Sequence, residues 1–394
     1  MEKSLFIPIF ATENEEVMAK ILSIIPSPQP ISFSLIVCLG ILMVFTSCGG
    51  DDGINDKEKE KEKENETAET ISDDYEYKLP VVFHVLYKDK NDQKQYPSEA
   101  RLKLVLDSVN ALYKRNHMNI TFIMAEQDED GKELSEKGIM RHEIDSTGMN
   151  PMNFIRESSK YGEYTQNIHK FINVYLFHYD KENEQSMGMS VLPVMPTDHT
   201  MEGVPDTTAT FLNNHTKYAN PWGVTINSQY ILESQKWGNI NPMCAWNTLA
   251  HELGHYLGLL HTFSENKCEE DDYCSDTKNC DYEAYIDEVE LFFKDIKEDA
   301  TVSFWELPQR TDCQTSEKYF AHNVMDYMYT IADSLTNQQR KRTRQVLNYC
   351  PSVPGVKIKE PTTRGYGETP SAPVLMRPRL SGCPPVRRSA KSPL

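Results

Sequence analysis

Residues 245–261 read AWNTLAHELGHYLGLLH and contain three of the eleven histidines of the chain. His251 and His255 are four residues apart, so on an α-helix their imidazoles project from one face and can share one cation. Glu252 follows the first histidine directly, close enough to take a proton from a metal-bound water. The apolar residues of the other face would pack on the core: Trp246, Leu249, Leu253 and Leu257. The stretch therefore predicts a buried helix that carries a zinc site.

The residues after this helix supply the rest of the predicted site. Gly258 can adopt a positive φ and end the helix sharply, and the turn then brings His261 back as a third nitrogen ligand. Three protein ligands leave the fourth zinc position open for water, which is the geometry of a catalytic site. A bare His-Glu-x-x-His also arises by accident in helices whose histidines are satisfied by hydrogen bonds. The added glycine and third histidine favour the metal site over that interpretation.

The spacing of these residues resembles the metzincin zinc signature, in which the glycine and the third histidine have the same offsets. Metzincins have a tight turn with a methionine beneath the zinc, and residues 323–327 (Asn-Val-Met-Asp-Tyr) are similar to it. Residues 261–263 (His-Thr-Phe), the cysteine-rich insert after them and this turn together resemble the pappalysin family, including its ulilysin-like bacterial members. The resemblance implies that Met325 is the apolar base under the ligands, although methionine alone is ordinary core packing. It also implies that the phenol of Tyr327 approaches the metal or the tetrahedral intermediate.

The resemblance further implies a zinc-dependent endopeptidase with one catalytic Zn²⁺ and a polypeptide substrate. Zinc would activate the water that hydrolyses the peptide bond, with Glu252 as the general base. Residues 189–194 are the best candidate for a strand that binds an extended peptide by β-addition. Two other classes of function remain open: a surface-binding lipoprotein with a structural zinc site, and a zinc hydrolase of a non-peptide amide. A structural site has no use for a general base and usually takes four protein ligands, so Glu252 argues against it.

An acidic, cysteine-rich insert separates the third histidine from the methionine turn. Residues 268–277 read CEEDDYCSDT. Clustered carboxylates near backbone turns suit Ca²⁺, and pappalysins bind calcium near this position, but Lys278 stands where that family usually has proline. A structural calcium site and a merely solvated acidic loop are therefore both open. In an exported protein these cysteines are expected to form one or two disulfides, whose pairing the spacing does not fix.

The order of the predicted elements indicates an α/β (α+β) fold of the metzincin-like zincin type. It would comprise a twisted, mostly parallel sheet, a backing helix, the active-site helix and an irregular C-terminal subdomain with the Met-turn. Apolar runs predict strands over 79–87, 120–125, 171–177, 189–194 and 224–227. Ser98 can cap the backing helix, whose apolar residues recur at helical spacing: Leu102, Val105, Leu106, Val109, Leu112 and Tyr113. Asn241 and Pro242 suit the start of the active-site helix, and Thr336 opens a last helix with a capping box.

The N-terminal part of the chain predicts export. Residues 31–47 are apolar, almost uncharged and end in small residues directly before a cysteine, as in a secretory signal. The arrangement resembles the bacterial lipoprotein signal, which implies that Cys48 is lipidated and becomes the mature N-terminus. A transmembrane anchor is the alternative reading, although the segment is short for one. The acidic residues before Met18 suit such a signal poorly, so Met18 could be the true start.

Composition then divides the chain into four segments. Residues 1–48 are the signal segment with the lipoprotein cysteine. Residues 49–76 form a disordered acidic and charged tether, in which the alternating Lys and Glu run 57–64 has no apolar residue to bury. Residues 77–355 form the metzincin catalytic domain. Residues 356–394 form a disordered tail rich in proline and basic residues.

The acidic balance of the chain excludes one class of partner. The formal net charge is −18 at pH 7, whereas a nucleic-acid binder needs a basic face. We therefore expect no nucleic-acid partner, and contact with a membrane only through the lipid anchor. The expected protein is a monomer at the bacterial cell envelope or cell surface, anchored in the outer membrane.

Overall fold

The structure, a computed structural model, describes residues 67–68, 70–157, 159–233, 244–294, 304–327, 329–358 and 372–382. The predicted signal segment with Cys48, most of the predicted tether, and residues 241–242 lie outside this part of the chain. The described residues all belong to one compact unit, Asn65–Leu394. None of the helices described is long and apolar enough to cross a membrane.

The described chain contains seven α-helices and fifteen strands. The helices are α1 Glu99–Arg115, α2 Pro151–Glu157, α3 Ser159–Gly162, α4 Ala209–Asn214, α5 Ala245–Tyr256, α6 Tyr282–Lys294 and α7 Asn337–Tyr349. The strands up to α5 are β1 Thr67–Ala68, β2 Tyr77–Tyr87, β3 Ile120–Met124, β4 Ile139–Glu143, β5 Ile172–Phe177, β6 Gly188–Val191, β7 Met195–Pro196, β8 Asp206–Thr207 and β9 Val224–Asn227. The later strands are β10 Arg310–Thr311, β11 Lys318–Tyr319, β12 Ala321–Asn323, β13 Thr330–Ser334, β14 Lys357–Ile358 and β15 Leu380–Gly382.

Strand β2 is the centre of the main sheet. Seven strands of the described chain form this sheet, in the order β15-β6-β9-β5-β2-β3, with β4 also paired to β2. β3, β4 and β5 run parallel to β2, and β9 runs parallel to β5. The apolar run of β2 is almost wholly buried, as expected for a strand covered on both faces. The sheet is therefore mostly parallel, and the predicted α/β class is confirmed.

Helix α1 is the predicted backing helix. The side chain of Ser98 accepts the N–H of Arg101, and the buried face consists of the six predicted apolar residues. The hydroxyl of Tyr113 on this face donates to the carbonyl oxygen of Ala250 at 3.1 Å. Because Ala250 directly precedes the first predicted ligand, α1 fixes the position of α5 in the core.

Two antiparallel strands complete the sheet on the side of α5. β6 runs antiparallel to β9, and it ends before the predicted bound of 194 because Pro193 cannot donate to a ladder. β15 then pairs antiparallel with β6, with Leu380 opposite Val191. Residues 372–382 thus depart from the disorder predicted for the tail. Their sequence hides this role, because pairing at a sheet edge uses backbone groups that any sequence supplies.

Two further short strands depart from the predictions. Thr67–Ala68, within the predicted tether, pairs in parallel with Lys357–Ile358, within the predicted tail. Strand β4, Ile139–Glu143, was not predicted because its sequence IMRHE is mostly polar and only its first residue is buried. In both cases the pairing partner, and not the local sequence, determines the strand.

Candidate metal centre and active site

Helix α5 presents two of the three predicted ligands and ends at a glycine. Cys244 occupies the N-cap position of this helix. Gly258, after the last turn, has a φ of 89°. A Cβ atom there would lie 2.6 Å from Cε of Met201 and 2.8 Å from Cγ2 of Val346. Glycine is therefore required both by the backbone conformation and by the space around it.

The three predicted histidines converge at this end of α5. Nε2 of His255 lies 3.0 Å from Nε2 of His251 and 3.0 Å from Nε2 of His261. On the far side of the rings, Nδ1 of His251 lies 2.7 Å from the Val324 carbonyl oxygen, and Nδ1 of His255 lies 2.7 Å from the Leu259 carbonyl oxygen. A carbonyl oxygen can only accept, so both Nδ1 atoms carry the proton. The Nε2 atoms of these two rings therefore carry lone pairs that face each other.

Two lone pairs that face each other at 3.0 Å repel unless a proton or a metal ion lies between them. The imidazole rings carry no second proton, so they do not supply this positive charge themselves. Burial lowers the pKa of His251 to about 4 and holds the pKa values of His255 and His261 well below their ordinary range. The imidazoles are therefore neutral at pH 7, which is the form that binds a metal. Three neutral imidazole nitrogens are a typical donor set for catalytic Zn²⁺, so the residues fit the predicted metal.

Glu252 lies in the same buried region. Its side chain has no exposed surface, and neither carboxylate oxygen has a hydrogen-bond partner among the described residues. Burial raises the pKa of this carboxyl well above its ordinary value. A buried carboxylate without hydrogen bonds destabilises the fold, so its presence beside the histidines points to a chemical role.

Strand β6 runs directly beside Glu252. A Cβ atom on Gly188, at the start of the strand, would lie 2.7 Å from Cγ and 2.9 Å from Oε1 of Glu252, and 2.8 Å from Cγ2 of Thr248. Only glycine lets the sheet edge approach the carboxylate so closely. The sequence prediction did not single out Gly188, although a glycine in a strand indicates this kind of close approach.

The methionine turn lies beneath α5, where the resemblance places it. Met325 is fully buried, and a Cβ atom on Gly254 would lie 2.4 Å from its Sδ atom. The carbonyl oxygen of Met325 accepts the N–H of Thr262 at 3.2 Å, which joins the turn to the residue after the third histidine. Gly254 is a second residue that the sequence prediction missed. A glycine inside a helix costs about 1 kcal/mol relative to alanine, which is itself a sign of close packing.

Asn323 holds this turn and connects it to α7. Its Oδ1 accepts the N–H of Met325 at 2.9 Å and Nε2–H of Gln339 at 3.1 Å, while its Nδ2 donates to Oε1 of Gln339 at 2.9 Å. Gln339 also closes the predicted capping box: its Oε1 accepts the N–H of Thr336 at 2.9 Å, and Oγ1 of Thr336 accepts its N–H at 3.2 Å. One glutamine therefore caps the last helix and secures the methionine turn.

Tyr327 lies among aromatic rings that pack against the histidines. Its ring centroid is 4.4 Å from that of His261 and 5.8 Å from that of His251. Phe263 packs on both rings, with its centroid 4.5 Å from that of Tyr327 and 4.8 Å from that of His261. The structure thus places the predicted phenol next to the ligand set.

A buried ion pair secures the turn from the side of the insert. Nη2 of Arg310 lies 2.9 Å from Oδ1 of Asp326, and the two side chains are only 1% and 3% exposed. The same carboxylate oxygen accepts the N–H of Tyr327 at 2.7 Å. Arg310 was not predicted, because no local pattern distinguishes it from a solvent-exposed arginine. Its burial follows only from the contact between the insert and the turn.

The insert contains one disulfide among the described cysteines. Cys268 and Cys313 are bonded, with their Cα atoms 5.8 Å apart. Cys274 and Cys280 are buried thiols. This pairing agrees with the predicted one or two disulfides and crosses from the start of the insert to the segment before the methionine turn.

The acidic residues of the insert give the calcium alternative no support. Oδ1 of Asp272 accepts the N–H of Cys274 at 3.0 Å and the hydroxyl of Thr277 at 2.8 Å. Oδ1 of Asp271 accepts the N–H of Tyr273 at 2.7 Å. Among the residues that the structure describes, the three histidines are the only group of three or more potential metal ligands that converge.

Comparison with protein families identifies the part of the chain that carries the site. Residues 208–348 match the family model Peptidase_M43, described as Pregnancy-associated plasma protein-A. This stretch contains α5, the insert and the methionine turn, and the match confirms the predicted resemblance to the pappalysin family there. None of the curated proteins matches the chain.

Among solved structures, the chain is similar to mirolysin. Mature mirolysin from Tannerella forsythia in complex with a cleaved peptide is 19% identical, with a TM-score of 0.45 over 69% of this chain and 92% of that chain. A promirolysin mutant from Tannerella forsythia is 18% identical, with a TM-score of 0.47 over 69% and 81%. Mirolysin in complex with compound 9 is 17% identical, with a TM-score of 0.47 over 69% and 92%. The features of this chain that agree with a metzincin-like fold are the mostly parallel sheet, helix α5 and the methionine turn.

We expect the purified protein to contain one zinc ion per chain. His255→Ala removes the central nitrogen of the three. The variant should lose stoichiometric zinc binding, because catalytic zinc sites need three protein ligands and only two imidazoles remain. Elemental analysis after gel filtration measures this, and His322→Ala is the matched control because that ring pairs with Asp333 on the exposed surface. Zinc retained by the His255 variant would contradict the assignment of the ligands.

We expect Gly188→Ala to impair activity without releasing zinc. The new methyl group would overlap the Glu252 side chain and displace it, a strain of roughly 1–3 kcal/mol in a packed interior. Cleavage rate, zinc content and thermal unfolding of the same sample separate a displaced carboxylate from a lost fold. A variant with wild-type cleavage rates would show that the carboxylate position beside β6 is unimportant.

Proposed function

We propose that this pappalysin-like metallopeptidase hydrolyses internal peptide bonds of polypeptides with a catalytic zinc held by His251, His255 and His261. The observation that carries the proposal is the convergence of three imidazole nitrogens at the end of α5, together with the buried carboxyl of Glu252, the residue after the first ligand. This carboxyl has no hydrogen-bond partner among the described residues. The ligand set favours a catalytic over a structural zinc, because three protein nitrogens leave a coordination position open. Cleavage of casein, abolished by a chelator and restored by zinc, is the first test. It also separates this function from a zinc-dependent amidase and from a binding lipoprotein.

The residues around the histidines would perform the proton transfers. Bound zinc would supply a Lewis acid that polarises the scissile carbonyl and lowers the pKa of water. Glu252 would accept the proton of the attacking water and pass it to the leaving amine. Burial raises the pKa of this carboxyl above that of an exposed glutamate, which makes it a stronger base toward the attacking water.

Tyr327 would stabilise the negative charge that develops on the carbonyl oxygen. Its ring packs on Phe263, and its backbone N–H donates to Asp326, so both the ring and the main chain of this residue have fixed contacts before substrate binds. A donor fixed in advance stabilises a transition state more than a mobile one, because no reorganisation is needed during the reaction.

The edge of β6 would bind the substrate backbone. β6 is the antiparallel strand beside Glu252, and its outer edge is the one directed away from β9. An extended peptide paired with this edge would pass the catalytic carboxylate at close range. This role agrees with the prediction for residues 189–194.

We further propose that the protein is exported and lipid-anchored at Cys48. The support is the apolar stretch 31–47 that ends directly at this cysteine. Export to an oxidising compartment also accounts for the disulfide between Cys268 and Cys313. The anchor would hold the catalytic domain at a bacterial outer membrane, as a monomer, through the charged tether.

We expect Glu252→Gln and Tyr327→Phe to differ in kind. Glu252→Gln keeps the size of the side chain but removes the base, so kcat should fall by at least about 10²–10⁴-fold. Tyr327→Phe removes one hydrogen bond made mainly in the transition state, so kcat should fall by about 10²–10³-fold at most, with little change in KM. Both variants should bind zinc normally, which elemental analysis checks. Near-normal cleavage by Glu252→Gln would exclude the proposed mechanism.

We expect Cys48→Ala to abolish membrane association. Cys48 is the cysteine at the predicted cleavage point, whereas Cys38 lies in the segment that would be removed. The alternating Lys and Glu residues of the tether supply no apolar group to insert into lipid. Detergent phase partitioning and incorporation of labelled palmitate, compared between wild type and variant, measure this. Identical aqueous partitioning of both proteins would exclude the anchor while leaving the peptidase assignment intact.

A further inference from the structure

The outer edge of β6 is occupied by the chain itself. Leu380–Gly382 pairs antiparallel with this edge, and Ser381 lies opposite Ser190. One step along the ladder, the N–H of Leu192 donates to the carbonyl oxygen of Arg379 at 2.9 Å. Hydrogen-bonded and non-hydrogen-bonded pairs alternate in an antiparallel ladder, so Ser381 and Ser190 form the next hydrogen-bonded pair. The backbone of the segment therefore takes the donors and acceptors that an extended peptide would use.

Ser381 also reaches the candidate metal centre. Its Oγ lies 3.1 Å from Nε2 of His255, the nitrogen on which the other two imidazoles converge. Gly188, on the strand with which the segment pairs, abuts Glu252. The segment thus passes the central ligand directly and pairs with the strand that abuts the carboxyl group of Glu252.

The rest of the segment is fixed to the sheet and its surroundings. The carbonyl oxygen of Val374 accepts the N–H of Ala219 at 2.8 Å, and the N–H of Met376 donates to Oδ1 of Asn220 at 2.9 Å. The side chains of Met376 and Leu380 pack against the main core. Specific bonds at both ends of residues 374–382 distinguish them from a loop that merely passes the site.

We propose that residues 374–382 are an intramolecular pseudosubstrate, which fills the peptide-binding groove and keeps the full chain in a state of low activity. This inference rests on the proposed function, because it takes the outer edge of β6 as the groove. A polypeptide paired with that edge needs the same backbone groups and passes the same side of His255. The segment and a substrate therefore exclude each other.

The strength of the inhibition follows from the tether. A segment joined to the same chain competes at an effective concentration that reaches about the millimolar range for short linkers, so a weak intrinsic affinity suffices for about tenfold competition. Because the competition concerns free enzyme only, release of the segment lowers KM by about tenfold and leaves kcat nearly unchanged.

Ser381→Pro in the full chain tests this directly. Proline removes the N–H that pairs with Ser190. Ser381→Ala keeps that N–H and removes only the hydroxyl beside His255, so the two variants separate the strand pairing from the side-chain contact. Cleavage of a fluorogenic peptide should show a KM lowered about tenfold for the proline variant and a KM within about threefold of wild type for the alanine variant. A chain that ends after Ile358 should behave like the proline variant, and a synthetic peptide of residues 372–382 should inhibit it competitively. Unchanged KM in both the proline variant and the shortened chain would overturn the proposal.

Hydrogen exchange separates this result from a failure of the proposed function. In the Glu252→Gln background, where no cleavage is expected, the amide of Leu192 should exchange slowly in the full chain. It should exchange faster after Ser381→Pro, since its acceptor is lost with the strand. Fast exchange in both proteins would show that residues 374–382 do not occupy the edge of β6, even if every variant lacks peptidase activity. Slow exchange in both would mean that the segment is a permanent part of the sheet, which also overturns the proposal.

Discussion

Two hydrogen bonds to backbone carbonyl oxygens, from Nδ1 of His251 and from Nδ1 of His255, determine what this structure can do. They place the protons on the outer nitrogens and direct the inner lone pairs at one point. One acceptor, Val324, belongs to the methionine turn, and the other, Leu259, follows the glycine that ends α5. The helix, its terminating turn and the methionine turn are therefore parts of one arrangement, and none of them can shift without changing the ligands.

The site lowers the stability of the fold, and the packing of the surrounding core compensates for this loss. Glu252 is a buried carboxyl without a hydrogen-bond partner in the described chain, and Gly254 lies inside a helix. Against this, α5 is buried along nearly its whole length, and Tyr113 fixes it to the backing helix. The ion pair of Arg310 with Asp326 adds rigidity more than net stability, since two desolvated charges regain little beyond their burial cost. Such local violations are expected where the structure serves chemistry.

Sequence reasoning succeeded where the determinants are local. The spacing of His251 and His255 fixes one helical face, and the apolar period of α1 fixes another, so both appear in the structure as predicted. It failed where two distant segments determine each other. Arg310 is buried only because Asp326 is there, and Leu380–Gly382 is a strand only because β6 offers an edge. No pattern within either segment predicts these contacts. An arginine, or a backbone amide group, has the same sequence whether it is paired inside the protein or exposed to solvent.

The double use of Gln339 has a consequence for the behaviour of the whole C-terminal half. Because one amide group caps α7 and also binds Asn323 beneath the ligands, order in the first turn of that helix and order in the metal centre are linked equilibria. A ligand that binds only the ordered form shifts both together. Occupancy of the metal centre should therefore reduce the fraying of the first turn of α7, and hydrogen exchange of the amides in that turn would report it.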